Sequence, residues 1–542
     1  MGRQSILTPM MRQYKELKAK YADALLFFRM GDFYEMFYDD AVTASRELEI
    51  TLTSRGQHSG ADPPPPMCGV PYHAVEGYIA RLASKGYKVA VCEQLEEPGK
   101  AKKLLRRDVV RVHTPGTFSS PATTQASESI FLASLLLKED RAGLAFLDLS
   151  TGDFLATDLT GRESHAFAVD ELARFGPKEL LVPEGQSLPE ALNEFYVTEV
   201  EPGAFSPHRA ERRLREHFQA ASLDGFGLSE RHDAISAAGA CLYYVEQTQK
   251  ASLVHISGIR VYEGEEFLVL DEHTRRNLEI LKNTMDSTSR NTLVSVVDHT
   301  VTAMGGRLLR QWLIKPSRQL EIIRSRLDGV DELFSNGELR ARIREELVSV
   351  SDLERLLGRV VLETANPRDL SAIRMTLVAL PGLKQHLKPA GAQILSGMLS
   401  DLDEMPELTD LLQKAILDNP SNIVGEGTVI RPGFDAEFDE TNAYLKDGKK
   451  MVAALERKER EATGISNLKL RYNKVFGYYL EVSRSNLKLV PDHYERRQTL
   501  VNAERFITPE LKDLEARILG AEEKVHKIER DLFDRVLREV GC

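Results

Sequence analysis

The sequence predicts a multidomain protein of α/β plus α class, mixed α/β at its start and mainly helical in its second half. Three observations predict this. At roughly 100 to 200 residues per domain, the 542 residues suggest three to five domains. Up to about residue 262, short apolar runs bounded by turn residues alternate with helix-spaced segments. From there on, apolar residues recur almost only at helical spacing, in stretches punctuated by proline.

Residues 1–118 read as the first α/β domain. Ala24 to Met30 (ALLFFRM) is a short apolar run, a buried strand, and Gly31-Asp32 is a turn. Asp39 or Asp40 is placed to cap a helix through AVTASRELE. Ala74, Val75, Tyr78, Ile79, Leu82 and Ala83 have helical spacing; Gly86 stops that helix and YKVAVCEQ follows as a strand. The prolines at 63 to 66 suit neither a helix nor a central strand, which predicts a surface loop.

Residues 119–127 are small and polar, a linker. Residues 128–262 read as a second α/β domain. Within it, LAFLDLSTGDFLATDL places two apolar runs around Ser150-Thr151-Gly152, a hairpin, and AISAAGACLYYVEQTQ is helical. Residues 263–448 are helical: LLRQWLIKP, LEIIRSRLDGVDELF and LERLLGRVVLETA have helix-period apolar spacing, with Pro316, Pro367, Pro381 and Pro389 between segments.

The last part predicts two long helices with a small sheet between them. Leu511, Leu514, Ile518, Ala521, Val525, Ile528 and Leu532 follow the alternating 3-4 spacing of a coiled-coil seam, in the stretch 509–542. Phe434, Phe438, Leu445, Val452 and Leu455 form a second stripe. Between them, in the segment 449–508, residues from about 465 are β-rich: Tyr478, Leu480 and Val482 alternate with Tyr479, Glu481 and Ser483. Two helices running out and back with a sheet at their tip make a lever carrying a pad. The chain ends soon after the return helix, so a fragment of a longer protein is expected.

Composition narrows the function classes. Hydrophobic residues are 42% and charged residues 28%, an ordinary soluble balance, and no apolar run of membrane-spanning or signal-peptide length occurs. A cytoplasmic protein is expected. Cys68, Cys92, Cys241 and Cys542 are scattered without a CxxC pair, which argues for free thiols and against a zinc site or disulfide scaffold. The net charge of −11 gives no hint of nucleic acid, so any such partner must be recognised by local basic surfaces.

The most informative motif is Gly31-Asp32-Phe33-Tyr34-Glu35-Met36-Phe37, an aromatic strand after a turn. On the residues alone, Phe33 and Phe37 read as core and Glu35 as a solvated side chain. The longer stretch LLFFRMGDFYEMFYDDA, however, resembles the N-terminal mismatch-binding motif of MutS proteins, Phe33-Tyr34-Glu35 standing where the family has Phe-X-Glu. PMCGVPYHAVEGYIARL, VVRVHTPGT, TRRNLEI, VVDHTVTAMGGRLLRQWL, NKVFGYYLEVS and RRQTLVNAERFITPEL also resemble MutS segments, in MutS order, from about residue 9 to 540.

The resemblance implies a mismatch-recognition domain, an RNase H-like connector, an all-α core with long lever helices, and a small β clamp. It implies a DNA mismatch repair protein, nucleoid-associated, that binds double-stranded DNA bearing mismatches or small loops. Phe33 would enter the minor groove and stack on the mispaired base, Glu35 would bond that base, and Met30 would stand beside them. An aromatic wedge unstacks a base step at a cost of a few kcal/mol, least at a mismatch, so deformability supplies the selectivity. A carboxylate is repelled by phosphates; Glu35 makes sense as an acceptor from the base, or as a protonated donor, that penalises intact duplex.

The helix-tip insert is the second candidate. From Ser466 to Lys512 nine basic residues (Lys469, Arg471, Lys474, Arg484, Lys488, Arg496, Arg497, Arg505 and Lys512) stand against five acidic ones, a local balance of +4. Such a patch holds phosphates without reading sequence, or is an ordinary solvated face. The resemblance to the MutS clamp selects Arg496, Arg497, Asn502 and Lys474 as backbone contacts. Many relatives have a lysine just before Asn-Ala-Glu-Arg; here it is Val501, which puts one contact in doubt. A third basic stretch, Lys100, Lys102, Lys103, Arg106, Arg107 and Arg111, either lines a DNA channel or is a solvated loop.

No GxxxxGK[ST] occurs: Gly99-Lys100 and Gly448-Lys449 lack its glycine and hydroxyl spacing. No catalysis, cofactor or metal is therefore expected of this chain. The full-length family is a DNA-dependent ATPase that uses ATP and magnesium, forms a homodimer and recruits MutL, and the resemblance implies those partners for the whole protein. Three other readings stay open: a MutS-like recombination protein without mismatch reading, a metal-dependent nuclease on the carboxylates Asp148, Asp153 and Asp158, and a helical scaffold with no DNA affinity.

Overall fold

The structure, a computed structural model, describes residues 8–54, 64–95, 105–118, 126–251, 253–263, 266–473, 477–500 and 502–541. The chain divides into two compact units, Met1–Thr364 with Ala379–Asp403, and Ala365–Val378 with Glu404–Cys542.

The first unit opens with helix α1 (Pro9–Lys20), capped by Thr8, and a sheet of β1 (Ala24–Met30), β2 (Phe33–Phe37), β3 (Thr53–Ser54), β4 (Pro66–Pro71), β5 (Lys88–Gln94) and β6 (Arg107–His113). Helices α2 (Tyr38–Leu48) and α3 (Val75–Ser84) lie between its strands. The order is β3-β4-β2-β1-β5-β6, with β1 and β5 parallel and the other pairs antiparallel. Because β1 is central and covered on both faces, it is apolar at nearly every position. Leu25, Phe27, Tyr34 and Met36 enter one core beneath α2 and α3; Leu26, Phe28 and Phe37 enter the other with Met11, Tyr14 and Leu17 of α1.

Two expectations need correction here. The helix after β2 starts at Tyr38, and neither Asp39 nor Asp40 is its cap. Asp40 is instead a buried acceptor for Tyr14 Oη at 3.2 Å and Leu26 N at 3.0 Å, with Lys18 Nζ at 2.9 Å. Nor is the proline run wholly a loop: Pro66 begins β4 opposite Ser54, and an initial strand position tolerates proline because no ladder donor is needed there. Pro63 lies outside the described residues, as do 119–125 of the expected linker.

A second sheet holds β7 (Leu132–Lys138), β8 (Arg141–Asp148), β9 (Asp153–Thr160), β10 (Glu179–Pro183), β11 (Val197–Val200) and β12 (Arg260–Val261), in the order β11-β10-β7-β8-β9-β12. The expected hairpin is β8–β9, closed by Asp148 opposite Asp153. Helices α4 (Ser164–Phe175), α5 (Pro207–His217) and α6 (His232–Gln249) complete this part. α6 is buried along most of its length against β7, β8 and β9, so close that a side chain at Gly143 would collide with the carbonyl of Asp233.

Helices then follow in the first unit: α7 (Glu272–Asn277), α8 (Leu293–Val297), α9 (Ala303–Ile314), α10 (Leu320–Ser335), α11 (Gly337–Leu347) and α12 (Leu353–Val361). Asp271, Thr292, Thr302, Asn336 and Asp352 cap five of them through side-chain oxygens. Buried Arg307 holds Asp352 and Glu354, each at 2.6 Å, and donates to the carbonyl of Ala126 at 2.7 Å.

The division between the units falls inside α13 (Pro367–Leu387), followed by α14 (Gln393–Asp401) and α15 (Pro406–Ala415). Pro381 does not separate helices as expected but sits within α13. It removes one amide donor there, yet Ala379 and Leu380 beside it are buried, and that packing keeps the helix continuous.

In the second unit α16 (Ala436–Thr463) and α17 (Pro509–Val540) pair. Lys524 meets Glu437 at 2.8 Å and Lys458 meets Glu510 at 2.7 Å, which sets the helices antiparallel. Of the expected seam, Leu511, Ile518, Val525 and Leu532 are buried, one per heptad, while the intervening Leu514, Ala521 and Ile528 are half-buried. The domain boundary expected between 448 and 449 falls inside α16, where Gly448 lies against Ile518. Phe434 precedes the helix. Between the helices β13 (Lys469–Asn473), β14 (Gly477–Ser483), β15 (Glu495–Thr499) and β16 (Ala503–Ile507) form an antiparallel sheet in the order β13-β14-β16-β15. Leu480, Val482 and Phe506 bury one face with Leu455 and Leu511.

Candidate nucleic-acid interface

Met30 and Phe33 face each other at the turn end of the β1–β2 hairpin, joined by Gly31-Asp32. Gly31 has φ +58°, the left-handed region that hairpin turns assign to glycine at this position. Because strand side chains alternate, Phe33, Glu35 and Phe37 share one face. That face closes progressively along the strand. Phe37 is fully buried, 5.0 Å from the Tyr14 ring; Glu35 is half-buried; Phe33 is 47% exposed. The core reading therefore holds for Phe37 and fails for Phe33. Across β4, Gly69 stands opposite Glu35, and its missing side chain leaves room beside the Phe33 ring.

The turn is braced from the opposite face. Arg29 Nε donates to the Gly31 carbonyl at 2.6 Å, and its guanidinium lies 4.1 Å from the Tyr72 ring and 5.3 Å from that of Tyr34. Tyr72 N donates to the Asp32 carbonyl at 3.0 Å. The Arg29 carbonyl accepts from Arg107 Nε at 2.9 Å and Gln94 Nε2 at 3.4 Å. Tyr34 Oη donates to Glu93; burial and that carboxylate raise its pKa well above the ordinary tyrosine value. Sequence reasoning missed this support. Its one signal was a charged residue, Arg29, inside an apolar run beside a turn.

Where it is described, the third basic stretch is divided: Arg107 and Arg111 are engaged within the protein, whereas Arg106 is exposed ahead of β6. Arg107 is buried, its guanidinium 5.1 Å from the Phe28 ring. Arg111 donates to the Leu362 carbonyl at 3.2 Å, and burial lowers the pKa of both. Lys100, Lys102 and Lys103 lie outside the described residues.

In the second unit, Arg496 and Arg497 are exposed on the edge strand β15. Pairing with β16 shifts register between Arg496 and Gln498, making Arg497 the extra residue of a bulge. Asn502 is exposed in the turn before β16, and its carbonyl accepts from Arg484 N at 3.2 Å. Lys474 and Val501 lie outside the described residues. Arg496 Nη1 is 3.4 Å from Glu504. Arg505 is tied down: its guanidinium sits 4.3 Å from the Tyr479 ring, donates to Gln498 Oε1 at 2.7 Å and lies 3.9 Å from Glu481. Tyr479, under that guanidinium, is buried.

The carboxylates weighed for metal chemistry have structural partners. Buried Asp148 accepts from Ile130 N and Ser150 N, both at 2.9 Å, and from Ser150 Oγ at 2.6 Å; burial raises its pKa. Asp153 pairs with Arg260 at 2.7 Å, and Asp158 accepts from Ala234 N. Among the described residues no group of three or more His, Cys, Asp or Glu is placed to hold a metal ion, and no helix is long and apolar enough to cross a membrane. Cys68, Cys92 and Cys241 are free and buried, and burial pushes the Cys68 thiol up to about 11.

Three family models match nearly the whole chain: MutS domain I over residues 8–122, MutS domain II over 130–257 and MutS domain III over 273–542. The chain is 46% identical to the DNA mismatch repair protein MutS of Pelotomaculum thermopropionicum over 538 residues, 98% of this chain and 62% of that protein. It is 46% identical to that of Symbiobacterium thermophilum, covering 99% of this chain and 62% of the relative. With that of Acetivibrio thermocellus the identity is 43%, over the same shares. The chain thus spans about 62% of the length of these relatives, and it belongs to the MutS family.

Proposed function

We propose that this chain finds and binds mispaired or unpaired bases in duplex DNA, as the recognition part of a mismatch repair protein. The observation that carries this reading is Phe33, an aromatic ring exposed at a braced hairpin tip on a face that closes along the strand to the buried Phe37. Phe33 enters the minor groove and stacks on the odd base, with Met30 alongside at the tip. Unstacking costs a few kcal/mol per step and least where pairing is already broken, so the wedge selects by deformability. Half-buried Glu35 accepts a hydrogen bond from the unpaired base, and its charge disfavours intact duplex.

The four-stranded sheet between α16 and α17 acts as the clamp, and the two helices as levers. Arg496, Arg497, Asn502 and Lys474 hold phosphates without reading sequence. The sheet beginning at β7 is the RNase H-like connector, which docks partners without catalysis. The homodimer, MutL, and ATP with magnesium belong to this reading of the full-length protein. The 542 residues contain no phosphate-binding loop of the GxxxxGK[ST] type, so no step assigned here runs through ATP.

The test is a fluorescence-anisotropy titration at fixed salt, with a G·T duplex and its matched homoduplex. The wild-type chain should prefer the mismatch, and Phe33→Ala should lose that preference while keeping homoduplex affinity. A preference that survives Phe33→Ala would remove the wedge reading.

A further inference from the structure

A wedge at the end of a two-residue turn has a mechanical problem. Force applied to the Phe33 ring during insertion is transmitted to the Gly31-Asp32 backbone, where glycine adds conformational freedom. Pre-organised recognition requires that the tip be held before DNA arrives, because ordering it at the moment of binding would subtract from affinity.

The structure holds the tip from the side opposite the wedge. Arg29 faces Tyr34 across the ladder, whereas Met30 faces Phe33, so Arg29 and the wedge lie on opposite faces. From there Arg29 Nε reaches the Gly31 carbonyl at 2.6 Å while its plane lies against Tyr72 at 4.1 Å. Tyr72 in turn fixes the other turn residue, donating its N–H to the Asp32 carbonyl at 3.0 Å. Both carbonyls of the turn are therefore held, one by each member of a stacked pair. The base of the brace is fixed as well: the Arg29 carbonyl accepts from Arg107 Nε at 2.9 Å, and Arg107 is buried.

We propose that the Arg29–Tyr72 stack is a positioning device that locks the Gly31-Asp32 turn and so sets the discrimination between mismatched and matched duplex. This rests on the reading of Phe33 as the wedge. Arg29 acts through the turn and is not itself a contact to the base. A planar guanidinium is required, since it must stack on one group while donating in its own plane to another; a lysine ammonium does not do both.

The experiment compares wild type, Arg29→Ala, Arg29→Lys and Tyr72→Leu by G·T and matched-duplex titration across a salt series. Positioning predicts that all three variants lose about five- to tenfold of the mismatch preference, with matched-duplex affinity and salt slope unchanged. If Arg29→Lys keeps the full preference, or if Arg29→Ala weakens both duplexes equally with a smaller salt slope, Arg29 is a phosphate contact and the proposal is overturned. A second measurement needs no DNA: Phe33→Trp in a Trp312→Phe background, read by time-resolved anisotropy. Arg29→Ala and Tyr72→Leu should each add fast local motion at position 33. If wild type shows no mismatch preference, the proposed function fails, and this readout alone decides whether the stack holds the tip; an unchanged decay would overturn that too.

Discussion

Phe33 and Phe37 lie on the same face of one strand, four residues apart, yet the first is 47% exposed and the second 1%. Phe37 packs edge-on to Tyr14, whose hydroxyl is shared with Asp40. Identical side chains thus separate into a structural and an available aromatic within five residues.

Stability should separate them in the same way. Phe37→Ala should cost about 3 to 5 kcal/mol, the usual loss for a buried phenylalanine, whereas Phe33→Ala should stay within about 0.5 kcal/mol. Urea denaturation followed by circular dichroism measures both. Equal losses would mean that Phe33 is packed.

The two edge arginines should behave as phosphate contacts. Arg497→Ala should weaken matched and mismatched duplex alike and lower the salt slope by about 1. Arg496→Ala should do so less, because Glu504 already lies 3.4 Å from it. A titration series in potassium chloride reads the slopes directly.

Glu179 ties the first sheet to the second. Fully buried, it accepts from the hydroxyls of Thr114, Thr198 and Tyr244 and from Gly116 N. Glu179→Ala should leave these donors without their acceptor and destabilise the junction by about 3 kcal/mol. Hydrogen exchange of residues 107–118 should accelerate, with little change in residues 477–483.

Acid should weaken the first unit through its histidines. Burial lowers the pKa of His113 to about 3 and also lowers those of His217 and His255. Depressed folded values mean that the stabilisation is complete above the unfolded value of about 6.5 and is lost as pH falls toward the folded values. The unfolding midpoint should therefore drop between pH 7 and pH 5, and His113→Gln should reduce that slope. A slope unchanged in the variant would show that His113 titrates normally.

Much of this architecture was legible in the chain. Local rules sufficed for β1, the β8–β9 hairpin and the seam of α17, because alternation and heptad spacing report which face is buried. The Phe-X-Glu pattern and the basic insert named their candidates only through their resemblance to MutS segments, since on the residues alone Phe33 reads as core and the insert as readily as a solvated face. Tertiary structure decided the rest. Phe37 is buried because Tyr14 of α1 packs against it, a contact no local rule announces. Whether Arg107, Arg111 and Arg505 are free cations depends on rings and carbonyls far away in sequence, such as Phe28, Leu362 and Tyr479. Asp40 looked like a helix cap because its local sequence suits one; a backbone amide from β1 and a hydroxyl from α1 claimed it instead. Propensity and periodicity are short-range properties of the chain, whereas the partner of a charged side chain is set by which distant segment folds against it.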